Sequence, residues 1–443
     1  MKKILSVLLC IIFIILPGAA VCASAAFDSL MKEKINSPIY LLTSLDDSTV
    51  VLSKGAEKET QCPALNKILT VALTLRQNKN IDKKITITQK MLDSVGEFYV
   101  LKMGLKVGEV ISIKSLLYAI MLYGANDACA AVAVATSSDT EKFVEQINSY
   151  VTSLGCKNTV IKNTTGFDAP GQHTTAKDIA VIMADVVKIP LFTEIFGAKT
   201  YTVEATNLSS RRIYSTNNRL QITTSIYYYS YVNGGKSGAT DGAGYCTVAT
   251  ATKDGYTYLA VVLKGEGITS GAVTTNYSML DAKTLFKWAF NNIKFKVVAT
   301  TSQIVTVMDV VAGSESDHVS LSPARDVSTL VPQLADENGV LIEPVADSVP
   351  KKLYAPIKKG DVICNARILY AGEEIATVDL VAAETVSLSV PRLILEKIKD
   401  VLKSKIFVAV FIILAALILI YIVFVVFDNL KSKRNRMNVI GRK

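Results

Sequence analysis

Side chains that could bind a metal or act as thiol nucleophiles are few in this sequence of 443 residues. The only histidines, His173 and His318, are too few to complete a conventional zinc site. The five cysteines that follow the N-terminal segment have neither paired nor metal-like spacing. We therefore expect no metal centre, no cofactor and no disulfide framework.

A lysine on a predicted helix offers a different kind of chemistry. Lys67 follows Ala64 by three residues, so the two side chains share one face of that helix. Cys62 lies close to the start of the same helix, whose dipole lowers a thiol pKa. However, Cys62 precedes Lys67 by five residues, which is about 140° around an ideal helix. Cys62 is therefore a poor nucleophile partner for Lys67, and Thr60 and Ser53 are more remote still.

The elements that position these residues are predicted from apolar spacing. Residues 65, 68, 69, 72 and 73 follow the pattern of a buried helix face, and Pro63 suits the first turn. A second apolar helix is predicted over residues 116–122, after which Asn126 and Asp127 can cap a third helix over 128–135. Three apolar runs separated by glycine-containing turns predict antiparallel strands at 232–238, 245–252 and 256–263.

The chain between the N-terminal apolar segment and the apolar run at residues 406–427 is too long for one ordinary domain, so two domains are predicted. Residues 26–292 mix helical and strand patterns. Residues 294–388 predict a small all-β domain, because short alternating apolar runs occur at 294–298, 303–311, 362–369 and 374–381. Residues 390–405 have apolar side chains at helical spacing and predict an amphipathic linker.

Three short stretches resemble the signatures S-x-x-K, S-x-N and K-[TS]-G of the low-molecular-mass penicillin-binding proteins, the serine-type D-alanyl-D-alanine carboxypeptidases. They are Ala64-Leu65-Asn66-Lys67, Gly124-Ala125-Asn126 and Lys236-Ser237-Gly238. Flanking residues match as well, at 104–109, 165–167, 173–178 and 244–246. The resemblance covers nearly all of residues 27–390. It implies an α/β (α+β) fold, in which a penicillin-binding-protein/β-lactamase-like transpeptidase domain, an antiparallel sheet with helices, precedes the small all-β domain.

The resemblance also implies a role for each site residue. Ala64 occupies the position of the nucleophilic serine, Lys67 that of its base and Gly124 that of the proton-relay serine, so two of the three motifs have lost a hydroxyl. The positions that hold substrate in the family are kept. They are Asn126, Lys236, Ser237, Gly238 and Ala239, and the oxyanion hole would be formed by the backbone N–H groups of Ala64 and Ala239.

The two ends of the chain predict its location. Residues 1–25 are typical of a signal peptide, with two lysines, a short apolar run and small residues before cleavage after Ala25 or after Ala23. Residues 406–427 form an uncharged run of 22 residues, long enough for a transmembrane helix. The basic tail, residues 428–443, predicts a cytoplasmic C-terminus. We therefore expect a single-pass protein of the cell membrane with an extracytoplasmic body.

The distribution of charge argues against nucleic acid as a partner. Of the net charge of +9, the predicted signal carries +2 and the tail +5, which leaves only +2 for the body between them. The tail, in contrast, suits anionic lipid headgroups.

The motifs and the two ends of the chain leave three functions open. The first is a protein that binds peptidoglycan stem peptides ending in D-Ala-D-Ala, or regulates cell-wall enzymes, without hydrolysis. The second is an active carboxypeptidase that uses another nucleophile. The third is a membrane scaffold with a vestigial cleft, whose partners would be cell-wall enzymes.

Overall fold

The structure, a computed structural model, describes residue 27 and residues 31–95, 101–271, 273–333, 339–370 and 372–440. The predicted signal peptide, residues 1–25, lies outside the described residues. The chain forms two compact units. The first contains the described residues up to Lys296 together with Ser328–Leu341 and Leu369–Ala376, and the second contains Val297–Val327, Ile342–Ile368 and those that follow Thr377.

The α-helices are α1 (Pro63–Gln77), α2 (Gln89–Asp93), α3 (Ile113–Tyr118), α4 (Asn126–Ser137), α5 (Thr140–Ser153), α6 (Ala176–Val186), α7 (Pro190–Gly197), α8 (Tyr277–Asn292), α9 (Val390–Lys403) and α10 (Lys405–Ile440). The strands of the first part of the chain are β1 (Ile39–Ser44), β2 (Val50–Lys54), β3 (Lys84–Thr86), β4 (Val110–Ser112), β5 (Thr200–Val203), β6 (Arg212–Ser215), β7 (Val232–Thr240), β8 (Gly244–Lys253), β9 (Tyr256–Gly265), β10 (Gly267–Ser270) and β11 (Val273–Asn276). Those that follow are β12 (Ile293–Ala299), β13 (Thr306–Val311), β14 (His318–Pro323), β15 (Val327–Pro332), β16 (Val340–Pro344), β17 (Leu353–Tyr354), β18 (Val362–Tyr370) and β19 (Glu373–Ala382).

A five-stranded antiparallel sheet, in the order β2-β1-β9-β8-β7, forms the centre of the first unit. The predicted strands at 232–238, 245–252 and 256–263 are confirmed as β7, β8 and β9. Residues 258–263 of β9 are apolar, and both faces of this segment are buried. Alternate residues of this strand enter two separate hydrophobic cores, Leu259, Val261 and Leu263 on one face and Tyr258, Ala260 and Val262 on the other.

Helix α1 belongs to the first of these cores and packs beside β7 and β8. The predicted apolar face is confirmed, since residues 65, 68, 69, 72 and 73 are all buried. Pro63 occupies the first turn, where its missing N–H leaves no hydrogen bond unmade. On the opposite face of the sheet, α8 packs against β8 and β9 and contributes Trp288 to the second core.

The segment between α3 and α4 differs from the prediction. The predicted helix at 116–122 is α3 continued by a π-helical turn, Ala119–Tyr123, which ends at Gly124 in the left-handed conformation with φ +89°. The prediction that Asn126 and Asp127 cap α4 is wrong. Ala125 occupies the cap position and makes no side-chain cap bond, and Asn126 already belongs to the helix. The Asp127 carboxylate accepts the N–H group of Ala128 in the first turn of α4 and, in addition, the backbone N–H groups of residues 103–105.

The second unit is mainly β-structure, with strands ordered β16-β18-β19-β14-β13-β17 in one sheet. The predicted strands at 294–298, 303–311, 362–369 and 374–381 are confirmed as β12, β13, β18 and β19. Strands β14 to β17, which are two to six residues long, were not predicted from the sequence.

Two helices follow the β-strands. Helix α9 covers most of the predicted amphipathic linker and exposes apolar side chains, among them Ile394, Ile398 and Val401. Within α10, Lys405–Leu430 is a run of 26 residues with a mean hydropathy of 3.4, and none of its most apolar part is buried. This helix is long and apolar enough to cross a membrane.

Candidate active site

The predicted site residues are brought together around one cleft of the first unit, with a volume of about 330 Å³. Four segments form its walls: the start of α1, the turn before α4, the edge strand β7 and the loop at residues 165–167. The lining residues include Lys67, Gly124, Asn126, Lys236, Ser237, Gly238 and Ala239. Positions from 67 to 239 along the chain thus meet in space, as the three motifs predict.

Ala64 lies in the first turn of α1, next to β7, and is not among the residues that line the cleft, although Pro63 and Lys67 are. It is 1% exposed, and its side chain is a methyl group with no nucleophilic atom. A Cβ added to Gly238 would lie 3.3 Å from the Ala64 nitrogen and 3.1 Å from Pro63 Cγ. Glycine at position 238 therefore allows the strand to approach the first turn of the helix closely.

Lys67 is half-buried, and its amine points across the cleft. Among the described residues, Lys67 Nζ donates one hydrogen bond, to the backbone carbonyl of Thr165. Burial lowers the pKa of Lys67, because the charged form loses water. The amine is thus in an environment that suits a general base, but no hydroxyl or thiol among the described residues is hydrogen-bonded to it.

Lys236 reaches the same region from β7. Its side chain is 1% exposed, and Lys236 Nζ donates to the Met121 carbonyl over 2.6 Å. Burial lowers the pKa of Lys236 to about 7, and the charge of Lys67 contributes to the shift. Within the described part of the chain, neither lysine forms an ion pair with a carboxylate. The cleft therefore contains two partly desolvated amines and no counter-charge from the protein.

Gly124 lies between the two lysines. A Cβ built on Gly124 would lie 3.7 Å from Lys236 Nζ and 3.8 Å from Lys67 Cε, with Leu101 Cδ1 at 3.6 Å. These are ordinary contact distances, so a side chain would fit. The positive φ at this position nevertheless favours glycine.

Asn126 and Ser237 contribute further polar groups to the cleft. Asn126 Oδ1 is buried and has no hydrogen-bond partner among the described residues. Ser237 Oγ is 3.0 Å from Thr247 Oγ1, which in turn is 2.8 Å from Ser278 Oγ. A buried carbonyl oxygen without a partner is unfavourable by about 1–3 kcal/mol, which a ligand N–H would relieve.

Residues outside the three motifs complete the cleft. Thr165, Gly166 and Phe167 form one wall, although the sequence suggested them only as flanking matches and not as site residues. Gly166 packs so closely on α1 that an added Cβ would lie 2.5 Å from the Pro63 carbonyl oxygen. Asn217 also lines the cleft, but no motif or flanking match in the sequence identified it.

The alternative nucleophiles considered from the sequence do not line this cleft. Cys62 is 2% exposed and occupies the position before α1. Thr60 is 6% exposed, and its backbone pairs with that of Thr174. Ser53 lines a separate groove between the β1–β2 hairpin and α6.

Comparison with known proteins agrees with this architecture. Residues 26–267 match the family model described as D-alanyl-D-alanine carboxypeptidase, and residues 295–387 match the penicillin-binding protein 5 C-terminal domain. The fold is accordingly a penicillin-binding-protein-like α/β transpeptidase domain followed by a β domain. The chain belongs to the serine-type D-alanyl-D-alanine carboxypeptidase family.

Named relatives span almost the full length of the chain. It is 28% identical to D-alanyl-D-alanine carboxypeptidase DacF of Bacillus subtilis, over 87% of this chain and 94% of the relative. It is 26% identical to DacC of Escherichia coli, over 82% of this chain and 88% of the relative. Penicillin-binding protein 5 from Haemophilus influenzae superposes with a TM-score of 0.62 at 24% identity, covering 81% of this chain and 99% of that one, which supports the fold.

Proposed function

We propose that this protein binds peptidoglycan stem peptides that end in D-Ala-D-Ala and does not hydrolyse them. The main support for the proposal is that the two sets of positions at the site differ in which side chains they keep. The positions for bond making and proton relay hold Ala64 and Gly124, whereas Lys236, Ser237 and Asn126 remain at the positions that would hold substrate.

Loss of hydrolysis is expected from the chemistry of acyl transfer. A covalent mechanism needs a nucleophile within hydrogen-bond reach of its base. The hydroxyls that line the cleft have other partners: Thr165 bonds Asn163, Ser237 bonds Thr247 and Thr240 bonds Asp168. Lys67 is therefore a base without a group to activate.

A buried thiol near the lysines is no better a candidate. Cys129 of α4 is fully buried, and burial raises the pKa of Cys129 to about 11 although both lysines oppose the shift. It is thus a neutral thiol at physiological pH, and only the thiolate is a strong nucleophile.

Retained binding is supported by charge and size. Two amines without a carboxylate partner suit the terminal carboxylate of a peptide, and Asn126 Oδ1 can accept a peptide N–H. The volume of about 330 Å³ lies at the lower end of the range for small-ligand sites. The cleft is thus suited to the end of a peptide rather than to a large ligand.

The proposed location follows from the ends of the chain. A signal peptide over residues 1–25 would export the body, and the apolar part of α10 would anchor it once in the cell membrane. The basic residues after it would keep the tail in the cytoplasm. The cleft would then face the peptidoglycan.

The test uses full-length protein in detergent and two probes. Fluorescent penicillin should give no covalent adduct, and calorimetry should detect binding of an uncleaved peptide that ends in D-Ala-D-Ala. Lys236→Ala should weaken this binding by about ten- to a hundredfold, since a charge-assisted hydrogen bond contributes roughly 1.5–3 kcal/mol. Lys67→Ala, as the control within the same cleft, should weaken it less.

The other possible outcomes identify the alternatives. A penicillin adduct on any side chain would favour an active carboxypeptidase with another nucleophile. No binding at millimolar peptide, or equal affinity for the Lys236→Ala variant, would favour a scaffold with cell-wall enzymes as partners.

A further inference from the structure

Two cysteines that are far apart in the sequence meet beneath the first turn of α1. Cys62 immediately precedes this helix, and Cys246 lies on β8. Both are free thiols in the structure and are at most 2% exposed. Cys246 Sγ lies 3.7 Å from the carbonyl oxygen of Gln61, the residue directly before Cys62, so the side chains of Cys62 and Cys246 are neighbours.

The packing of α1 on the sheet brings the two thiols together. Cys246 is directly opposite Gly238 in the β7–β8 register. Gly238 in turn approaches the start of α1 so closely that an added Cβ would lie 3.1 Å from Pro63 Cγ. The close approach of β7 to the start of α1, which also brings these two walls of the cleft together, therefore places Cys246 beside Cys62.

The other described cysteines are not arranged in this way. Cys156 Sγ is 3.6 Å from the Asp178 carbonyl, Cys129 lies on α4, and Cys364 lies on β18 in the second unit. Among the described residues, Cys62 and Cys246 are the two cysteines whose side chains are neighbours.

We propose that Cys62 and Cys246 form a structural disulfide as the exported chain folds. The oxidant is an external disulfide, carried by a small thiol compound or by a thiol–disulfide exchange protein. One cysteine thiolate attacks a sulfur of this oxidant, which forms a mixed disulfide and releases a thiolate. The second cysteine, after losing its proton, attacks the protein sulfur of the mixed disulfide and releases the other thiolate. The two cysteines thereby lose two protons and two electrons, and the external disulfide is reduced to two thiols.

The timing follows from burial. An external oxidant cannot reach thiols that are at most 2% exposed, so the first exchange precedes the final packing of α1 on β8. Once the helix packs, native contacts hold the second sulfur beside the first, which favours the intramolecular step. The resulting bond joins the helix start that presents Ala64 to the strand pair that presents Lys236. It therefore fixes the two walls of the cleft whether or not a peptide binds there.

The first experiment maps the bond in the wild-type protein. Full-length protein, exported by a bacterial host and purified in detergent without reductant, is denatured, treated with iodoacetamide, digested and analysed by mass spectrometry. We expect one cross-linked peptide that contains Cys62 and Cys246 and is lighter by two hydrogen atoms than its reduced parts. Cys129, Cys156 and Cys364 should be alkylated. Alkylation of Cys62 and Cys246 as well would overturn the proposal.

The second experiment measures stability with and without reductant. A disulfide between Cys62 and Cys246 closes a long loop of the chain and should raise the melting temperature by about 10 °C. Reductant should therefore lower the melting temperature of the wild type by about the same amount. The variant with both Cys62→Ser and Cys246→Ser should not respond, whereas Cys156→Ser should respond like the wild type. An equal response of the double variant and the wild type would contradict the proposal. If the double variant does not fold, the peptide map of the wild type decides alone. Neither measurement depends on peptide binding, so the disulfide and the proposed function can fail separately.

Discussion

Replacing Lys236 by methionine should change the way in which the stability of the protein depends on pH. Lys236 is 1% exposed, and burial lowers its pKa from 10.5 in the unfolded chain to about 7 in the folded protein. Methionine is similar in length and apolar shape but carries no proton. The variant thus removes one titrating group from the cleft.

The direction of the effect follows from the pKa shift. Between about pH 7 and about pH 10, the unfolded chain holds a proton on Lys236 that the folded protein has released. The free energy of unfolding therefore rises with pH in this window. One pKa unit corresponds to about 1.4 kcal/mol, so the wild type should gain about 2 kcal/mol between pH 7 and pH 9 relative to Lys236→Met. The comparison with the variant cancels the contributions of titrating groups that do not interact with Lys236; Lys67, whose charge acts on Lys236, is the exception.

The single tryptophan of the chain provides the assay. Trp288 lies on α8, is 2% exposed and belongs to the same unit as the cleft, so its fluorescence reports unfolding of that unit. Urea denaturation of full-length protein in detergent is followed at several pH values for the wild type, for Lys236→Met and for Lys157→Met, a control at an exposed lysine. Parallel pH curves for the wild type and Lys236→Met would refute the inference that burial lowers the pKa of Lys236.

Three further predictions concern other parts of the molecule. Ala64→Ser combined with Gly124→Ser should give a protein that is labelled by fluorescent penicillin, because it restores both hydroxyls beside Lys67. A serine at position 124, where φ is +89°, should lower the free energy of unfolding by about 1 kcal/mol. If the folded double variant is not labelled by penicillin, the site lacks more than the two hydroxyls. Asp127→Asn should lower the free energy of unfolding by roughly 2–3 kcal/mol in the same urea assay, because its carboxylate accepts three backbone N–H groups of residues 103–105, and an unchanged value would contradict this role. The full-length protein should stay in the membrane pellet after a carbonate wash, and its release would contradict a spanning α10.

Much of the architecture was predictable from local sequence patterns. The apolar face of α1 and the strands β7, β8 and β9 follow from side-chain periodicity and from glycine-containing turns, which act over a few neighbouring residues. The apolar run in α10 is similarly local. The motifs also predicted which residues gather at the cleft, and the roles of those residues stay predictions.

The exceptions are the features that depend on contacts between distant segments. Asn126 and Asp127 have the composition of a helix cap, but both already belong to α4, which begins at Asn126. The Asp127 carboxylate accepts the backbone N–H groups of residues 103–105, which are distant in the sequence, as well as that of Ala128.

The sequence by itself thus determined the main secondary structure and an apolar run long enough to cross a membrane. Only the tertiary structure decided that Lys236 is buried, that Gly124 lies between two amines with no carboxylate partner among the described residues, and that Cys62 and Cys246 are neighbours. Burial and contact depend on which segments pack together across the sheet. The spacing of residues along the chain does not show which distant segments pack together.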